Sequence, residues 1–97
     1  MADKPEAPPP PIQFQIDEPV AQGTYSNIVL INHSENEFVL DFAYLQPTAP
    51  MAKVRARIIS SPRHTKRLLL ALKSNVEKYE ERFGAIDLSS DDGPKLH

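Results

Sequence analysis

Cysteine is absent from the 97 residues, and so is tryptophan. Without thiols there is no disulfide staple, no CxxC redox pair, no thiolate nucleophile and no thiolate metal site, which fits a reducing compartment. Glycine is nearly absent too. The three glycines stand alone, so neither a phosphate-cradling loop nor a dinucleotide fingerprint can be assembled from them. No apolar run approaches the roughly 18 residues that a membrane span requires. Prolines occupy the place where a signal peptide would carry its apolar region, so no export signal is expected and the cytoplasm is the expected compartment.

Proline, by contrast, is plentiful, with ten residues, four of them in the run Pro8 to Pro11. Proline has no backbone N–H and prefers extended polyproline geometry, so residues 1–11 are expected to be a disordered, solvated arm. Residues 89–97, Ser-Ser-Asp-Asp-Gly-Pro-Lys-Leu-His, carry too little apolar surface to offset the entropy of ordering them and are expected to be a disordered tail. One domain over 12–88 remains. At that size a single core is marginal, and with no disulfide to help, self-association into a dimer or tetramer becomes a natural source of further burial.

Hydrophobic periodicity then sets the expected elements. Ile12, Phe14 and Ile16 alternate with Gln13, Gln15 and Asp17, the period of a half-buried edge strand that Pro19 would end. Tyr25 to Asn32 has a β-branched centre with apolar residues on both faces, His33 to Asn36 supplies turn residues, and Glu37 to Leu45 alternates again with Phe38, Leu40, Phe42 and Tyr44 on one face. These two runs form a hairpin. Lys53 to Ile59 restores the alternation, with Val54, Ala56 and Ile58 expected on one face and Lys53, Arg55 and Arg57 on the other. Ser61 before Pro62 starts a helix, since the serine hydroxyl caps free amides and proline at the first position loses no intrahelical bond. Gly84 is placed to end it after Phe83, with Ile86 available for the accompanying apolar contact. The expected class is α+β: about four antiparallel strands followed by one long C-terminal helix.

No catalytic constellation stands out. His33, His64 and His97 lack a second ligand at metal spacing, Glu80 and Glu81 are adjacent and point to different helix faces, and no serine or threonine has the glycines of a nucleophile elbow beside it. Neither a metal nor a cofactor is expected, nor an enzymatic activity. The helix does carry a stripe, Leu69, Leu72, Val76, Tyr79 and Phe83, spaced 3, 4, 3, 4 and widened by Leu68. One helix covers only one face of a sheet, so this stripe and the second sheet face are candidates for an oligomer or partner interface.

Charge is unevenly distributed: residues 1–52 sum to −6, residues 53–78 to +7 and residues 79–97 to −3. The basic block supplies a candidate nucleic-acid or anion-binding set, Lys53, Arg55, Arg57, Arg63, Lys66 and Arg67. It contains no aromatic platform for stacking bases, and its strand members can pair instead with Glu37 and Asp41 across the hairpin. Protein or peptide binding by a homo-oligomer is therefore the first expectation, and nucleic-acid binding through the basic strand and helix start is the alternative.

The strings Tyr25-Ser-Asn27, Glu37-Phe-Val-Leu-Asp-Phe42, Ala56-Arg-Ile-Ile-Ser-Ser-Pro62 and Lys78-Tyr-Glu-Glu-Arg-Phe-Gly84 occur in order. In this the chain resembles a short prokaryotic family, domain of unknown function 3467, over about residues 22–86. The resemblance implies no reaction and carries over no functional residue. A looser similarity, in element order alone, is to the export chaperone SecB, whose strands-then-helix plan would imply an oligomeric chaperone or adaptor.

Overall fold

The computed structural model describes residues 11–48 and 50–89. A one-turn helix α1 (Glu18–Ala21) precedes strands β1 (Ile28–His33), β2 (Phe38–Leu45) and β3 (Ala52–Ser60), and a 22-residue helix α2 (Pro62–Phe83) follows. The strands form one antiparallel sheet in the order β1-β2-β3. The class is the expected α+β, but among the described residues the sheet has three strands and not four. Residues 12–17 are the missing one: they adopt no strand, and no backbone group of residues 11–16 hydrogen-bonds to the rest of the described chain. The expected arm and tail lie outside the described residues, apart from Pro11 and Ser89.

The hairpin β1-β2 closes through Ser34. Its amide donates to the Glu37 carbonyl at 2.9 Å, and its hydroxyl accepts from the Asn36 and Glu37 amides at 3.3 Å each. At the opposite end, Asn27 extends the ladder with its side chain. Its Oδ1 accepts from the Leu45 amide at 2.8 Å and its Nδ2 donates to the Leu45 carbonyl at 3.1 Å, as a further peptide unit would. Ser26 donates to the Ala43 carbonyl at 2.8 Å. The Tyr25-Ser-Asn27 string is thus a closure of the sheet.

Register assigns the faces, because directly paired residues point the same way. Val29, Ile31 and His33 lie with Phe38, Leu40 and Phe42, and these with Ala56, Ile58 and Ser60. The other face holds Ile28, Leu30, Val39, Asp41, Ala43, Arg57 and Ile59. Both faces are apolar, as the sequence indicated. His33, expected in the turn, is the last residue of β1 and stacks on the Phe38 ring at 5.3 Å.

A register shift between Phe42 and Ala43 alters the expected facing of β3. Phe42 pairs with Ala56 but Ala43 pairs with Val54, so Arg55 is an extra residue and a β-bulge. Alternation restarts beyond it. Val54 therefore shares a face with Ala43 and Arg57, and Lys53 shares the opposite face with Tyr44. The three basic residues of β3 do not share one face.

The covered interior is small. Among the described residues only Leu40, Asp41 and Ala43 are buried, all on the central strand β2. The helix α2 forms for local reasons: the Ser61 hydroxyl accepts from the His64 amide at 3.1 Å, Pro62 fills the first turn, and Gly84 at φ 97° ends the helix with its amide on the Glu80 carbonyl at 2.9 Å. No side chain of α2 is buried, and the helix does not pack along either sheet face.

Candidate functional site

Only Ser61 separates β3 from α2, so the helix must leave the sheet at the end of an edge strand. The Thr65 hydroxyl donates to the Ser61 carbonyl at 2.7 Å and holds the first turn to this junction. The helix consequently starts over the sheet face that carries Ile31, Phe38 and Leu40. Between them lies an open groove of about 500 Å³, floored by these three residues and walled by Thr65, Leu68, Leu69 and Leu72, with Pro62 at its end. Its one charged neighbour is Lys66. The chemistry of this lining suits apolar side chains, with a single cation at the edge to orient a carboxylate or carbonyl.

The expected interface residues divide at this groove. Leu69 and Leu72 line it, while Val76, Tyr79 and Phe83 continue along α2 beyond it. Tyr79 and Phe83 stack at 5.0 Å and the Arg82 guanidinium lies 5.3 Å from the Phe83 ring centre, so the distal half carries an aromatic patch. All five are exposed, Phe83 at 65% and Leu69 at 61%. The strand residues Ile31, Phe38 and Leu40 were missed as site residues. Their alternation marks them as facing a core, and only the one-residue link to α2 tells which end of the sheet the helix overhangs.

The basic set does not converge. Arg57 donates through Nε to Asp41 Oδ1 at 2.7 Å and through a terminal nitrogen to Oδ2 at 2.9 Å, a bidentate ion pair with the aspartate nearly covered and the arginine open. Those hydrogen bonds and the adjacent positive charge hold the Asp41 carboxyl below the usual carboxylate range and raise the guanidinium above its own. Of the two cross-strand ion pairs expected, Asp41 makes one; Glu37 lies just before β2 and makes none among the described residues. Arg55 turns to the other face, where its guanidinium sits 5.4 Å from the Tyr44 ring centre. Arg63, Lys66 and Arg67 flank a shallow depression with Pro62 and Leu70 at the start of α2. Three separate locations thus hold the six side chains.

Among the described residues, no group of three or more His, Asp or Glu side chains could hold a metal ion, and no helix is long and apolar enough to cross a membrane.

Fold and groove together define a small α+β chain with a hairpin-based sheet, a projecting helix and exposed apolar side chains on β1, β3 and α2. The family described as "Protein of unknown function (DUF3467)" matches residues 1–88, and the chain belongs to it. No curated protein and no solved structure matches the chain, so the likeness of element order to SecB gains no support.

Proposed function

We propose that the chain is a non-enzymatic binding protein of the cytoplasm that works as a homo-oligomer and takes an apolar segment of a protein or peptide in the groove between the sheet and α2. One observation carries this. In the single chain large apolar side chains stay open on both sheet faces and along the whole helix, and exposed apolar surface on a small protein marks sites of association. Moving the half-exposed distal stripe Val76, Tyr79 and Phe83 out of water would contribute on the order of 3 kcal/mol per helix, from about 1.5–3 kcal/mol for each full burial. Self-association is the ordinary way to obtain that contribution, and an unsatisfied remainder becomes a binding surface.

Light-scattering mass at low and moderate salt, with and without short DNA, tests the assembly. A salt-insensitive oligomer that ignores DNA is expected. Fluorescence anisotropy with a permanently unfolded, apolar model polypeptide then tests the groove, and Leu69→Asp is expected to weaken binding at least tenfold. A folded monomer at all concentrations would sink the proposal, and a DNA-dependent mass increase that vanishes with salt would transfer the function to the basic residues.

A further inference from the structure

The segment Ile12–Asp17 has the alternation of a strand but no strand to pair with. Ile12 is 81% exposed and Phe14 93%, and the segment makes no hydrogen bond to the sheet of its own chain. The sheet, for its part, ends on both sides in strands whose outer backbone groups face away from β2. An extended segment with an apolar side and an open sheet edge complete each other, since the edge supplies the hydrogen bonds and the added strand supplies the missing cover.

Charge chooses between the two edges. β1 reads Ile-Val-Leu-Ile-Asn-His and carries no acidic or fully basic side chain, so it has nothing to attract an acidic segment. β3 carries Lys53, Arg55 and Arg57. Arg57 is committed to Asp41, whereas Lys53 and Arg55 have no carboxylate within ion-pair distance among the described residues. The segment ends in Asp17, with Glu18, the first residue of α1, directly after it, and Gln13 and Gln15 are its other polar members.

We propose that residues 12–17 of one copy add as a strand to the β3 edge of a second copy, with Asp17 and Glu18 meeting the partner's Lys53 and the partner's Arg55. The exchange is reciprocal, so a two-fold dimer contains two four-stranded sheets, each completed by its partner's segment. This rests on the homo-oligomer proposed above and adds which segment is lent and where it lands. It also explains why a strand pattern in the sequence has no strand within one chain.

The test uses the full chain. In an equal mixture of isotope-labelled and unlabelled protein, isotope-filtered NMR is expected to show contacts from Phe14 to β3 of another chain, with the amides of residues 12–17 protected from exchange. Arg55→Glu is expected to weaken dimerisation about tenfold, and Asp17→Arg in the same chain to restore it. An oligomer in which residues 12–17 exchange freely, or touch only their own chain, overturns the strand exchange while leaving the oligomeric function standing. A monomer overturns both.

Discussion

β2 and α2 are opposite solutions to the same problem. β2 is paired on both sides and holds every buried side chain among the described residues, while α2 is the longest element and buries none. β2 is ordered by its neighbours, α2 by its own ends: a serine cap, a proline in the first turn and a glycine at positive φ. Helices in proteins nevertheless draw most of their stability from packing an apolar face. Within one chain, then, the sheet centre is covered and the helix is not.

The largest effect that would break the contrast comes from the helix stripe. Leu72→Asp with Val76→Asp is expected to lower the light-scattering mass, with loss of helical circular dichroism, because two charges would enter the apolar stripe. An unchanged mass with full helicity would show that α2 needs no partner. Next comes the finished part. Leu40→Ala is expected to cost about 2–5 kcal/mol in denaturant unfolding, at the low end if the groove lets the site collapse.

Acid sharpens the same comparison at Asp41. Its carboxyl is held below the ordinary value by the Arg57 hydrogen bonds and charge, so it binds protons less readily folded than unfolded. Its contribution is complete above the unfolded value near 3.8 and fades as pH falls through the lowered one. Unfolding midpoints of the wild type should drop over that acidic window, and Asp41→Asn should flatten the drop while lowering stability at neutral pH. The smallest effects belong to the helix ends. Ser61→Ala should cost about 1 kcal/mol and Gly84→Ala a similar amount, each read from thermal melts.

Much of this was written where chemistry is local. Ser61-Pro62 and Gly84 delimit α2 because caps act on backbone groups a few residues away, and the facing of Phe38, Leu40, Phe42 and Tyr44 follows from alternation along one strand. What escaped depends on partners. Ile12, Phe14 and Ile16 carry a strand's pattern, but pattern states only that one side wants cover and not which chain provides it. Lys53, Arg55 and Arg57 look co-facial until a bulge opposite Phe42 and Ala43 shifts the count, and nothing within β3 announces an insertion that is defined only against β2. The groove is legible only in part: the stripe names its wall, and the floor emerges from the short link.

That link gives the molecule a lever. With the single residue Ser61 between the last residue of β3 and the first of α2, the few backbone dihedrals around it set the angle between strand and helix. A helix of this length runs about 33 Å, so a tilt of about 10° at the junction displaces Phe83 by about 6 Å. Any change of angle at the junction is therefore magnified at the aromatic patch of Tyr79 and Phe83, at the far end of α2.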